Sequence, residues 1–407
     1  MVQIAILGYG VVGSGIFLVH NQNRVHIEKQ AGCAISVKRI LDKRDFSKEL
    51  GPIYTSDFED ILNDGEIQII AEVMGGIDPA YDYVKRALLR GKHVCTSNKE
   101  LVAKHGAELL AIAKKRDVNF MFEASVCGGI PVVRPINMAL TSDAIAAVSG
   151  ILNGTTNYML TQMHSFGKSY DTALKEAQEL GYAENDPTAD VCGFDACRKL
   201  AILLSVVTGQ QVDFEDILTE GIQNISQIDF AFARALGFSI KLMVDGRIGP
   251  SGVYALVAPM LVHHSLPLSN VSDVFNGVMV QARATGDVMF YGQGAGKLPT
   301  AGAMISDIVD ITKHLHRHIR IKWSPEKINL LPMDGYVTRK LIRISYDNLQ
   351  KQKISELSKG VSVTELPEYP GQACWLTAPE TEEETRANLT GHKVEQILRV
   401  YEPEKRI

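Results

Sequence analysis

Residues 181–200 read GYAENDPTADVCGFDACRKL and concentrate more potential chemistry than any other stretch of the 407-residue chain. Four carboxylates, Glu184, Asp186, Asp190 and Asp195, precede Lys199. Asp186-Pro187 reads as the turn that opens a helix. On a helix over about 193–208, Asp195 and Lys199 stand four residues apart and share a face. Beside them Ala196, Leu200, Leu203 and Val207 form an apolar stripe at helical spacing. Lys199 then borders a packed core, where an ammonium is partly desolvated and held by a carboxylate, which suits a proton donor to a small substrate. A solvated surface pair has the same spacing, so spacing alone does not separate the two readings.

Gly8-Tyr9-Gly10-Val11-Val12-Gly13 follows the apolar run 2–7 and opens a helical pattern through about His20. Glycines at Gly8, Gly10 and Gly13 let the backbone approach a pyrophosphate, whose charge is stabilised by a helix N-terminus. Without a ligand, the same loop is a tight strand–helix turn. Near the end of the second expected strand, Asp42 favours a free ribose 2′-hydroxyl (NAD), whereas Lys43 and Arg44 favour a 2′-phosphate (NADP), and both remain open. Ser97-Asn98-Lys99-Glu100 has a capping-box pattern. Lys99 in its first turn opposes the helix macrodipole, a local inconsistency of the kind functional sites show; an exposed surface lysine is the alternative.

Glu123-Ala124-Ser125-Val126-Cys127-Gly128-Gly129-Ile130-Pro131 follows a strand and turns through two glycines, leaving a carboxylate and free carbonyls for an all-oxygen cation site. Cys127 reads as a packed small residue; a thiol nucleophile needs a partnered base, and no His lies nearby in sequence. Asn153-Gly154-Thr155-Thr156-Asn157 opens a helix and either borders a substrate or is a bare N-cap. His314, His316 and His318 alternate at spacing two, which does not face one way on a helix and so reads as a solvated helix end rather than a metal site.

These residues need a scaffold, and the pattern supplies one. Strands near 34–41, 67–73, 92–96 and 118–122 alternate with helices at 79–90 and 98–116, which predicts a doubly wound parallel sheet of Rossmann type over 1–130. A helix from about Ala301 to His318 follows the Gly-rich YGQGAGK turn. Over 131–296 the pattern changes to helices at 133–140, 155–164, 171–180, 193–208, 213–219 and 229–237, with strands at 145–152, 239–248 and 252–262. This predicts a second, α+β domain, whose 239–262 strands provide edges that a two-fold partner could cover. After a linker at Trp323–Pro325, residues 330–407 read as strand, helix, two strands, helix, strand.

Composition bounds the function. With 45% hydrophobic and 22% charged residues the chain has material for real cores. A net charge of −5 gives no reason to expect nucleic acid or an anionic membrane as partner. The apolar runs are short, and the N-terminus enters a strand without a signal-peptide pattern. Six scattered cysteines with no CxxC fit reduced thiols. A cytoplasmic protein is expected.

The chain resembles homoserine dehydrogenases through ILGYGVVGSG, EVMGGIDP, TSNKELVA, EASVCGGIP, GILNGTTNY, the 181–200 segment and YGQGAGKLPT, in the family's order over about residues 1–320. The resemblance implies NAD(P)-dependent interconversion of L-homoserine and L-aspartate 4-semialdehyde, on the route to threonine and methionine. It implies that Lys199 donates the proton, with Asp195 orienting it and Lys99 at the cofactor–substrate junction. Glu184, Asp190 and Asp195 would bind the amino-acid substrate. Gly8, Gly10, Val12, Gly13, Lys99, Gly181 and Gly296 would bind the cofactor, NADP or NAD. A monovalent cation, typically sodium, is implied at Glu123 and the backbone oxygens of Val126, Gly128 and Ile130. The resemblance further implies that a helix within about 297–320 returns to complete the nucleotide domain, that 131–296 serves catalysis and dimerisation, and that the assembly is a homodimer or higher homo-oligomer. Two rival readings are a semialdehyde dehydrogenase working through Cys127 and a catalytically silent cofactor-binding regulator. Residues 330–407 resemble an ACT-type βαββαβ module, but Tyr346-Asp347-Asn348-Leu349 lacks the glycine that frees backbone amides for a ligand. Weak or absent threonine inhibition is therefore expected.

Overall fold

The computed structural model describes residues 1–346, 354 and 357–403. The chain divides into two compact units, one of Met1–Ala144, Arg198–Asp216 and Phe290–Ile328, the other of Ile145–Cys197, Ile217–Met289 and Asn329–Ile407.

In the first unit, apolar runs bounded by turns form six strands: β1 Val2–Leu7, β2 Ile35–Leu41, β3 Tyr54–Thr55, β4 Ile67–Glu72, β5 His93–Thr96 and β6 Phe120–Met121. All pair in parallel, in the order β3-β2-β1-β4-β5-β6. Strands β1 and β4 are buried at nearly every position, as a parallel sheet covered on both faces requires. The order reverses between β1 and β4, the switch point at whose carboxyl ends such sheets bind ligands. The helix Lys297–Lys313 packs on the helix Val11–Gln22, and a Cβ on Gly15 would meet the Lys297 carbonyl at 2.8 Å. Ile4, Ile16, Ile69, Met304, Ile308 and Ile311 share the core between them.

The expected helix from Ala301 to His318 is shifted: it starts at Lys297, because Gly296 with φ 120° turns the chain and Pro299 fits a first turn, and it ends at Lys313. The three histidines therefore lie past the helix; His314 and His318 bond backbone carbonyls of Asp310 and Val118. The expected 133–140 helix is present over 133–139, with Pro135–Ala139 in π geometry and the Arg134 amide engaged by Glu123. The Trp323–Pro325 stretch is not a loose linker: Trp323 is buried, donates to Gln211 Oε1 at 2.9 Å and packs on Gly106.

The second unit is built on a ten-stranded sheet. Phe238–Gly249 and Gly252–His263 form a twelve-residue antiparallel ladder closed by a two-residue turn. Ile145–Ile151 pairs with Phe238–Gly249 and with Phe275–Ala282, and Gly286–Gln293 follows in the sheet order. The last two strands were not expected. Helices Gly154–Phe166, Tyr170–Glu179 and Gln227–Ala235 lie near the expected positions, and each has a side-chain cap. The 213–219 helix is overturned: Phe214–Asp216 is one 3-10 turn, and Leu218–Thr219 is recruited as a strand beside Leu256 and Val257. Both strands of the 239–262 hairpin are interior to the sheet, so neither offers the free edge expected for a partner.

Residues 329–407 belong to this unit and continue its sheet through Met260↔Arg399 and Leu261↔Val400. Strands Lys340–Ser345, Thr364–Glu365, Gln372–Leu376 and Val394–Val400 and the helix Glu382–Leu389 match the expected order. The helix at 348–359 and the turn at 346–349 lie largely outside the described residues.

Arg343 on the first of these strands donates to Asp229 Oδ1 at 2.8 Å, and both side chains are buried. Asp229 also closes the capping box of the helix Gln227–Ala235. Removing one partner of a buried pair costs about 3–5 kcal/mol. Arg343→Met is expected to lower unfolding stability by roughly 3 kcal/mol, and adding Asp229→Asn to recover a large part of it. Urea denaturation of the three proteins measures both.

Candidate active site

The glycine loop in the first unit divides its labour. Gly8 has φ 101° and leaves β1 with its amide on the Leu41 carbonyl at 2.7 Å. A Cβ on Gly13 would lie 1.9 Å from the Gly8 carbonyl oxygen, so only glycine lets the helix start this close to the strand. Before Gly10 there is open space. Gly10 precedes the helix Val11–Gln22, which has no side-chain cap and no acid in its first turn. Free amides, the positive end of a helix dipole and room for close approach fit the pyrophosphate of a dinucleotide. Val12 sits in the helix's first turn.

Asp42 stands where β2 ends and is buried. Its carboxylate accepts from the Tyr9 amide at 2.7 Å, the Arg44 amide at 2.9 Å and the Arg44 guanidinium at 3.0 Å twice. The Arg44 guanidinium, ahead of burial and the two amides, sets its pKa and brings it down to about 2. Arg44 is held over the Phe46 ring. The acid at the ribose position is thus already engaged by its basic neighbour.

At the carboxyl ends of β4 and β5 lies an acid that the sequence reading passed over. Glu72 is fully buried, accepts from Thr96 Oγ1 at 2.5 Å and from the Met74 amide at 2.7 Å, and burial raises its pKa. The signal was a carboxylate ending the mostly apolar strand Ile67–Glu72. Thr96 in turn receives the Asn98 amide at 2.9 Å, and Asn98 donates to the Gly76 carbonyl at 2.5 Å. Fixed this way, Asn98 rather than Ser97 caps the helix Lys99–Lys115, accepting from the Leu101 amide at 3.2 Å. The expected capping box is replaced, and Lys99 becomes the first helical residue, half-buried. Glu100 pairs with Arg198 at 3.3 Å, so the residue after Lys99 is tied to the residue before Lys199.

Glu123 is buried, and its two carboxylate oxygens accept the amides of Val132 at 2.6 Å, Val133 at 2.9 Å and Arg134 at 2.7 Å. Cys127 and Gly128 both have positive φ, which turns the backbone sharply here. Among the described residues no hydrogen bond reaches the carbonyls of Val126, Gly128 or Ile130, leaving three hard oxygens for a cation. Cys127 is fully buried, without the access a nucleophile needs. Gly296 caps the helix Lys297–Lys313 at φ 120°.

In the second unit, Asn153 joins the two readings of its segment. Its oxygen caps the helix Gly154–Phe166, accepting from the Thr156 amide and hydroxyl at 2.8 Å each. Its amide group donates to Asp190 Oδ1 at 2.7 Å and to Asp195 Oδ2 at 2.9 Å. Asp190 lies on the short helix Thr188–Val191, and Gly193 with φ 83° redirects the chain into the helix Phe194–Thr208. One carboxamide therefore gathers two carboxylates from two helices. The helix Phe194–Thr208 continues into the first unit, where Lys199, one turn beyond Asp195, is 9% exposed and Leu200 and Leu203 are fully buried. Gly181 turns with φ 75° and has open space around it. Glu184 is exposed, and its backbone carbonyl accepts from the Gln178 side chain at 3.1 Å. Asp190 and Asp195 are brought together; Glu184 is not joined to them by any hydrogen bond among the described residues.

Two expectations follow. Gly13→Ala is predicted to lose cofactor binding and several degrees of Tm, whereas Gly10→Ala keeps the fold and weakens cofactor affinity at least tenfold, as titration of cofactor fluorescence reads. Asp42 titrates below its ordinary 3.8 when folded, so it stabilises the fold above about pH 4 and that stabilisation is lost as pH falls toward 2. Wild type should exceed Asp42→Asn by about 1–2 kcal/mol near pH 6, with the gap narrowing near pH 3 in urea titrations.

Residues 8–123 match the family model "Homoserine dehydrogenase, NAD binding domain" and residues 131–309 match "Homoserine dehydrogenase". The chain is similar to the homoserine dehydrogenases of Bacillus subtilis (40% identity, 77% of this chain, 73% of that one) and Synechocystis (43%, 76% and 73%). The crystal structure of a homoserine dehydrogenase from Thiobacillus denitrificans superposes with a TM-score of 0.90 at 34% identity, covering 98% of each chain. A hyperthermophilic archaeal homoserine dehydrogenase mutant, solved in complex with NADPH, superposes with a TM-score of 0.65 at 27% identity over 76% of this chain and 97% of that one. The chain belongs to the homoserine dehydrogenase family, NAD(P)-dependent oxidoreductases that interconvert L-homoserine and L-aspartate 4-semialdehyde.

Proposed function

We propose that Lys199 is the proton donor of this reaction in the reductive direction and that Asp195 orients it. The observation that carries the reading is the Asn153 clasp, which fixes Asp195 one helical turn from a nearly buried lysine. NAD(P) supplies the hydride when bound. As charge develops on the carbonyl oxygen, the Lys199 ammonium stabilises it and delivers the proton; in the oxidative direction the lysine takes that proton back. Glu184, Asp190 and Asp195 are read as binding the substrate, with Glu184 on the ammonium, and Lys99 as completing the site from the cofactor side. Gly8, Gly10, Val12, Gly13, Lys99, Gly181 and Gly296 are read as lining the cofactor.

Residues 1–130 with 297–320 are read as the cofactor-binding part and 131–296 as the catalytic and dimerisation part. Sodium is proposed at Glu123 and the carbonyls of Val126, Gly128 and Ile130, supported by those open carbonyls. A cytoplasmic homodimer or higher homo-oligomer is the proposed state. No helix among the described residues is long and apolar enough to cross a membrane.

Lys199→Ala is expected to lower kcat by roughly two to four orders of magnitude with cofactor affinity near wild type. Asp195→Asn should lower kcat strongly, and Glu184→Gln should act mainly on the homoserine KM. The assay is homoserine with NAD or NADP, followed at the reduced nicotinamide band. Retention of more than about a tenth of wild-type kcat by Lys199→Ala would move the role to Lys99.

A further inference from the structure

The second unit holds a cavity of about 380 Å³, between the C-terminal half of the helix Gly154–Phe166, the start of the strand Phe238–Gly249 and the segment His264–Ser272. Its walls carry Lys241, His164, His264, Ser239, Ser269 and Ser272. No aspartate or glutamate lines it.

Lys241 is 4% exposed. Its ammonium donates to the Val271 carbonyl at 2.5 Å and to Asn157 Oδ1 at 3.3 Å, two of the three bonds it can make. Both acceptors are neutral, and among the described residues no carboxylate comes within ion-pair distance. Burial lowers the pKa of this lysine to about 8, and the Asp273 carboxylate beyond the cavity wall offsets part of that effect, so the lysine still carries charge at neutral pH. His164 adds a buried Nδ1 with no hydrogen-bond partner, and the Arg234 guanidinium bonds the His164 carbonyl at 2.8 Å. His264 stands exposed at the rim. Cationic and neutral donors converge on a cavity large enough for a small molecule.

We propose that this cavity binds a small oxyanion, with Lys241 as the counter-charge and the His164 and His264 imidazoles and the Ser239 and Ser272 hydroxyls as further donors. A tetrahedral phosphate and a carboxylate share the chemistry that such donors recognise. The site is separate from the residues assigned to substrate. It uses the second half of a helix whose cap, Asn153, holds Asp190 and Asp195.

The test titrates inorganic phosphate, and in separate arms sulfate and acetate, into the full chain saturated with NADP, so that the glycine loop is filled. Calorimetry or 31P line broadening reads the binding. Saturable binding of one ion per chain is expected, weakened at least tenfold in Lys241→Met and severalfold in His264→Gln. Tighter binding of phosphate and sulfate than of acetate would assign a tetrahedral anion, and the reverse order a carboxylate. If Lys241→Met does not fold, His164→Gln and His264→Gln decide the matter. No saturable binding of any of the three ions below about 50 mM, or equal binding in wild type and in the folded variants, would overturn the proposal.

Discussion

Two carboxylates held close together repel, and the site of this chain depends on one carboxamide that holds them. Asn153 gives one N–H to Asp190 and one to Asp195, while its oxygen caps the helix that follows. The cap fixes the carboxamide, and the carboxamide fixes the acids. Around this point the chain is built for placement: Gly193 turns sharply so that Asp190 and Asp195 reach the same amide from two helices. The apolar face of the second helix buries Leu200 and Leu203, which sets Lys199 at the core border.

The first unit shows the same economy at the ends of β4 and β5. Glu72, Thr96 and Asn98 form a chain of hydrogen bonds that ends in a helix cap, and the cap determines that Lys99 occupies a first turn where a cation is disfavoured. A buried polar chain of this kind is stable only when each member is satisfied. The Glu100–Arg198 pair then links this helix start to the residue beside Lys199.

Much of this was legible in the residues. The glycine loop, the parallel sheet and the 193–208 helix carry strong periodic and turn signals, and the structure has them within a residue or two. Long-range partners were less legible. The Asn153 segment reads as a cap or a substrate border, and only the fold reveals that its amide reaches Asp190 and Asp195, 37 and 42 residues away. Glu72, a carboxylate at the end of a mostly apolar run, is a weak signal for the same reason, because its partner Thr96 lies 24 residues away. Leu218–Thr219 was misread as helix because its conformation is imposed by the neighbouring strand rather than by local preference. The hairpin at 238–263 and the strands that flank it were all expected, but their pairing with one another was not, so an interior pair was mistaken for free edges.

Steady-state kinetics of Asn153→Ala with homoserine test most directly whether the Asn153 carboxamide holds Asp190 and Asp195 where the reaction needs them. Truncation leaves Asp190 and Asp195 without their shared donor, so kcat/KM for homoserine should fall by roughly a hundredfold while cofactor affinity stays within about twofold. A folded Asn153→Ala protein whose kcat/KM for homoserine stays within about threefold of wild type would contradict the claim.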